Sequence, residues 1–151
     1  MTMHQRAEIG MTADEVQDFL RRGRIMTVAS YHPDGWVHLV PMWYALDDGR
    51  PVMWTNGRSQ KIANLRRDPR LTALVETGER YEELTGVQLI GRAELIDDPV
   101  AVLAIGRTVA GRYTLPVTEE ILRYRATKRV AIRIVAERVV SWDHGKLLPP
   151  G

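Results

Sequence analysis

Residues 36–46 read WVHLVPMWYAL, and they constrain the fold more than any other stretch of the chain. An extended backbone sends alternate side chains to opposite faces. One face of this run then carries Val37, Leu39, Pro41, Trp43 and Ala45; the other carries His38, Val40, Met42, Tyr44 and Leu46. Both faces are largely apolar, whereas an antiparallel sheet in a small protein commonly leaves one face wet. Two apolar faces need two covers: a barrel interior for one, and a second subunit or a ligand for the other. Pro41 has no N–H to give to a ladder, so a bulge or local opening is expected there.

The flanking sequence reads as an antiparallel meander. Residues 24–31 predict a first strand. His32-Pro33-Asp34-Gly35 supplies a turn, residues 36–46 a second strand, Asp47-Asp48-Gly49-Arg50 another turn, and residues 51–55 a third strand. Residues 71–77, 86–96 and 129–137 predict three more. Gly91 falls on the inward face of the fifth, where it signals a bend or the close approach of another backbone. Helices are expected from Thr12 to Gly23, from Ser59 to the residue before Pro69, from Asp98-Pro99 with a stripe of Val102, Ile105 and Val109, and from Thr118 to about residue 126. The expected fold class is mainly β with peripheral helices, a six-stranded antiparallel split β-barrel. It forms a single domain over residues 12–147, with a flexible arm at 1–11 and an extended tail at 148–151.

The strand–turn–helix unit at residues 53–70 (MWTNGRSQKIANLRRDPR) is the first candidate for chemistry. The free N–H groups and positive dipole end of a helix favour anions. Arg58 and Lys61 sit at that end, and Ser59 is placed to cap it with its hydroxyl. The unit can therefore hold a cofactor phosphate. Arg66, Arg67 and Arg70 also fit a solvated helix face or partners for Asp68.

Composition narrows the remaining classes. The formal charge of +2 on 151 residues is too small, and the arginines too scattered, to make nucleic acid the partner. With no cysteine, disulfides and thiolate metal sites are excluded, and a cytoplasmic location is expected. No segment reads as a signal peptide or a membrane span, so no membrane partner is expected. His4, His32, His38 and His144 have no ligand spacing, so no metal is expected. Neither a nucleophile elbow nor a dinucleotide or phosphate-loop glycine pattern is present. If the chain is an enzyme, a bound cofactor supplies the chemistry.

Four segments, ASYHPDGWVHLVPMWYALDDG, SQKIANLRRDPR, GVQLIGRAELIDDP and KRVAIRIVAERVVSWDHGKL, occur in that order. Together they resemble the split β-barrel flavin and deazaflavin oxidoreductases, which include the pyridoxamine 5′-phosphate oxidase-like proteins. The resemblance covers residues 12–147. It is strongest to the actinobacterial branch that uses the deazaflavin coenzyme F420 (8-hydroxy-5-deazaflavin). It implies a homodimer with two cofactors in clefts between subunits, and a phosphate against Ser59, Gln60 and Lys61. Thr55 and Asn56 would line the same cleft, His38, Leu39, Val40 and Pro41 would flank the ring, and Arg66 and Arg67 would meet the acidic tail of the coenzyme. In the oxidases proper an arginine occupies the place of Gln60, which puts pyridoxamine phosphate oxidation in doubt and leaves FMN open.

The function expected is hydride transfer from reduced F420 to an electron-poor double bond of a small acceptor such as an enone, a quinone or a tetrapyrrole-like molecule. The proton that follows would come from solvent or from Tyr44, the one side-chain candidate. An FMN-dependent oxidoreductase and a cofactor-binding protein without turnover are the alternatives.

Overall fold

The computed structural model describes residues 1–150, so Gly151, the end of the expected tail, lies outside the described residues. Seven strands form one sheet: β1 (Met26–Tyr31), β2 (Val37–Met42), β3 (Ala45–Asp47), β4 (Arg50–Asn56), β5 (Arg70–Thr77), β6 (Thr85–Ile96) and β7 (Arg129–Asp143). The α-helices are α1 (Met3–Ile9), α2 (Ala13–Arg22), α3 (Gln60–Arg67), α4 (Pro99–Arg112) and α5 (Glu119–Ala126). The strand order is β2-β1-β5-β6-β7-β4-β3, and every neighbouring pair is antiparallel.

Six expected strands become seven because the apolar run at 36–46 does not stay one strand. β2 and β3 lie at opposite ends of the sheet order, yet only Trp43 and Tyr44 separate them. Three peptide steps reach about 11 Å at most. The sheet must therefore curl until its two edges meet at this crossing, which makes the split barrel. Pro41 forms no bulge. It pairs in regular register with Thr27, because β2 is an edge strand and tolerates a missing N–H where it faces away from its partner.

The last strand is also longer than expected, running unbroken through Asp143. β6 shifts register against it between Ile90 and Gly91. A Cβ on Gly91 would lie 2.1 Å from the Val135 carbonyl oxygen, so the close backbone approach expected there is present and admits only glycine. The arm at 1–11 contains a helix: Thr2 and Gln5 cap α1 reciprocally, and Ile9 is buried. A single apolar anchor gives too little periodicity to read from sequence.

Two cores result. Val28, Met53, Ile62, Leu65, Ala73 and Ile132 are among those filling the barrel. Val52, Trp54, Val102, Ile105, Leu122 and Ala131 pack between the sheet and α4–α5. β4 is buried on both faces because it divides these cores. The outer face of β2 has no such cover. Val37 is 57% exposed and Leu39 63%. Among the described residues no helix is long and apolar enough to cross a membrane.

Candidate cofactor site

β4 ends at Asn56, whose side-chain oxygen accepts from the Arg58 N–H at 2.9 Å and so fixes the turn. The Gly57 N–H donates to the Lys128 carbonyl at 2.9 Å and ties that turn to the approach into β7. α3 then runs from Gln60 to Arg67 and stops before Pro69, as the sequence predicts. Beyond it, hydrogen bonds from Arg70 pull the Asp68 carboxyl down to about 2.

Ser59 occupies the N-cap position, but its hydroxyl makes no capping bond, contrary to expectation. Its Oγ is instead buried with no hydrogen-bond partner. Leaving such a group unpaired costs about 1–3 kcal/mol, and in a native structure it calls for an explanation. Lys61 stands beside it, half-buried, with Nζ 3.1 Å from the Thr55 hydroxyl and, among the described residues, no carboxylate partner. Burial holds its pKa below the ordinary 10.5. An orphan hydroxyl, a partly desolvated ammonium and the open N–H groups of a helix start together form a site that an anion completes.

A buried polar chain holds this helix end in place. Gln60 Nε2 donates to Asn64 Oδ1 at 2.8 Å, and Asn64 Nδ2 donates to Ser30 Oγ at 3.1 Å. Asn64 and Ser30 are both buried. Ser30 pairs in register with His38 on β2, and His38 Nδ1 is buried without a partner. Sequence reasoning missed Ser30 and Asn64. The signal for Asn64 was there: it interrupts the apolar stripe of Ile62 and Leu65, and a polar residue at a core position must be bonded to something.

The other expected residues separate. On β2, His38 and Val40 lean inward, while Leu39 and Pro41 face outward. Asn56, Arg58 and Arg66 line a neighbouring cavity of about 650 Å³ together with Lys128 and Arg129. Arg66 meets Asp97 at 2.7 Å there. Arg67 donates to the Tyr31 carbonyl, so the two arginines do not converge. Among the described residues, no cluster of three potential metal ligands exists.

Tyr44 lies elsewhere. It is fully buried, its hydroxyl donates to the Leu20 carbonyl at 2.5 Å, and burial raises its pKa. Arg112 covers its ring and donates to the carbonyls of Tyr44 (2.7 Å) and Arg21 (2.8 Å) and to the Tyr113 hydroxyl (2.8 Å). Tyr44 and Arg112 thus close the end of α2, and the phenol has no access to a cleft.

A family profile described as pyridoxamine 5′-phosphate oxidase matches residues 12–143. Among solved structures, a conserved hypothetical protein from Mycobacterium tuberculosis is 45% identical. The alignment covers 97% of this chain and 94% of that one, with a TM-score of 0.89. A structure titled F420 reductase is 22% identical, covering 82% and 94% of the two chains with a TM-score of 0.69. A heme binding protein from Mycobacterium smegmatis is 17% identical, covering 86% of this chain and 57% of that one with a TM-score of 0.63. The last two likenesses are likenesses of fold. No curated protein matches the sequence significantly.

Proposed function

Because the chain belongs to the pyridoxamine 5′-phosphate oxidase family of split-barrel flavin and deazaflavin oxidoreductases, we propose that it is a reductase using coenzyme F420. Its acceptor is a small organic molecule with an electron-poor double bond, of the enone, quinone or tetrapyrrole-like kind. The observation that carries the reading is the unpaired Ser59 Oγ beside half-buried Lys61 at the start of α3. These groups fit a phosphate group, whose unesterified oxygens can accept from both and from the first N–H groups of the helix.

The coenzyme, when bound and reduced, supplies a hydride from its ring. The chain's own task is placement. Ser59 and Lys61 hold the phosphate, with Thr55 orienting the ammonium. Gln60 is spent on Asn64 and so fixes the helix end instead of adding a charge. The β2 segment of His38, Leu39, Val40 and Pro41 flanks the ring with its backbone and side chains, with Asn56 and Arg58 at the cleft margin. Arg66 faces the coenzyme's acidic tail across the larger cavity; Arg67, held at Tyr31, takes no part in this. With the Tyr44 phenol committed to Leu20, the proton that follows the hydride comes from solvent. The bare outer face of β2 is where a second copy of the chain would sit, closing the cleft from the other side.

Fluorescence titration with F420 and, separately, with FMN tests this reading. F420 binding at micromolar or tighter concentration, with weak FMN binding, is expected. The reduced coenzyme should then be reoxidised by an enone or quinone acceptor, regaining its visible absorption, only when the protein is present. Preference for FMN would move the chain to the flavin branch, and binding of neither would remove the function while leaving the fold.

A further inference from the structure

A second cavity, of about 350 Å³, lies where the end of β2 meets the α4–α5 layer. Ligand pockets run from about 300 to 1,000 Å³, so this one suits a molecule of one or two rings. Its walls are apolar and flat. Pro41, Trp43, Trp54 and Leu122 are among the residues that line it. Trp43 stays 43% exposed even though it stacks on Tyr113 with ring centres 4.4 Å apart. Trp54 is held rigidly: a Cβ on Gly106 of α4 would lie 2.5 Å from its ring, so helix and indole are in direct contact.

Two arginines line this apolar space, Arg125 at the end of α5 and Arg129 at the start of β7, and Arg129 borders the larger cavity as well. Both are half-buried. Every other partly buried arginine side chain has a carbonyl, hydroxyl or carboxylate to meet. Arg133 has Glu94 at 2.9 Å and Asp47 at 3.0 Å, and Arg112 has its cluster of oxygens. Among the described residues, neither Arg125 nor Arg129 donates a side-chain hydrogen bond or meets a carboxylate within ion-pair distance. The Arg129 guanidinium sits over Trp54, 4.5 Å from the ring centre, a contact that takes up none of its N–H groups as hydrogen-bond donors. Burial, with the Arg125 charge adding to it, disfavours the charged form of Arg129. Two like charges, partly stripped of water and lacking a counter-charge, are stabilised by an anion placed between them.

We propose that this cavity binds a flat, apolar carboxylate, with its ring against Trp43 and Trp54 and its carboxylate between Arg125 and Arg129. Pro41 is shared between this cavity and the residues that flank the coenzyme ring. On the proposed function, on which this step rests, the molecule bearing the carboxylate is the acceptor, and its class narrows to flat acids of one or two rings with an electron-poor double bond. Among enones and quinones, those that carry a carboxylate meet the arginines and should be preferred over their neutral counterparts.

The test uses the full chain without added cofactor and 2-naphthoate as the probe, with the neutral 2-naphthamide as its isostere. Titration calorimetry should show naphthoate binding at least about tenfold more tightly than the amide, the worth of one charge-assisted contact. Arg125→Gln and Arg129→Gln, each checked for an unchanged melting curve, should each remove most of that preference. F420 titration of Arg125→Gln should match wild type, because Arg125 borders only this cavity. Equal binding of acid and amide, or binding of neither, overturns the proposal, and that result needs no variant. Loss of naphthoate and F420 affinity together in Arg125→Gln also overturns it, since the cavity would then be part of the coenzyme site. Naphthoate binding by a protein that ignores F420 overturns the proposed function and keeps the anion site.

Discussion

Two helix ends in this molecule are dressed with polar and basic side chains, and they are finished to different degrees. At the C-terminal end of α2, Arg112 and the Tyr44 hydroxyl meet several backbone oxygens. At the N-terminal end of α3, the Ser59 hydroxyl has no partner and Lys61 has only a threonine hydroxyl. Both ends carry a cation, which the helix dipole favours at the end of α2 and opposes at the start of α3. Satisfaction separates them further. A network whose donors all have acceptors specifies a packing, while one with buried vacancies specifies a guest.

The sharpest way to break this contrast is at Arg112. Arg112→Met should lower stability by about 3 kcal/mol, since charged hydrogen bonds to buried carbonyls are lost together, and should leave F420 affinity as it was. Urea unfolding read beside the cofactor titration checks both; a stable variant with poor binding would reverse the roles assigned to the two ends. At the other end, Lys61→Ala should weaken F420 binding by about 1.5–3 kcal/mol while the melting temperature holds or rises. An unchanged dissociation constant would remove Lys61 from the site. Tyr44→Phe should cost about 1 kcal/mol of stability through the lost bond to Leu20 and leave turnover untouched. A fall in turnover with normal binding would reinstate the phenol as a proton source.

The pH responses are smaller and differ in sign. The folded pKa of Lys61 lies below its unfolded value of 10.5, so its burial destabilises the free protein fully below that lowered pKa. The penalty is relieved as pH rises toward 10.5, where the unfolded chain loses the proton too. F420 affinity should move the other way, falling as pH rises through the lowered pKa and the ammonium disappears. Asp68 makes the mildest test. Its stabilising pair with Arg70 is present above 3.8 and is lost as pH falls through about 2. Asp68→Asn should therefore lack that stability above the window, and the slope of its stability against pH should differ from wild type only within it.

Most of the architecture was readable from local signals. The turns, the caps at Thr12, Asp98 and Thr118, and the demand of Gly91 for space all depend on near neighbours in the chain or on one close approach. What could not be read was the fate of residues 36–46. Alternation describes a strand equally well whether or not it changes edges midway, and no residue at Trp43 or Tyr44 marks a break. The site divides similarly. Ser59 and Lys61 announce themselves by type at a helix start. The separate directions of Arg66 and Arg67, and the Ser30–Asn64 bond beneath the helix, depend on what the third dimension brings alongside. Tyr44 misleads for the same reason: in sequence it neighbours the cleft strand, and in space it belongs to α2.

The sheet order also carries a consequence in time. Thr55 and Asn56, at the floor of the proposed cleft, are flanked in the ladder by Val130 and Arg129 of the final strand. Contacts this distant in sequence close large loops and form slowly. While the chain is being made, β1 and β2 can pair as a hairpin at once, but β4 has no second neighbour until β7 has been synthesised. The residues that would hold the coenzyme are thus present early and arranged late. Any chain ending short of residue 129 would carry the whole phosphate motif and still have no cleft in which to use it.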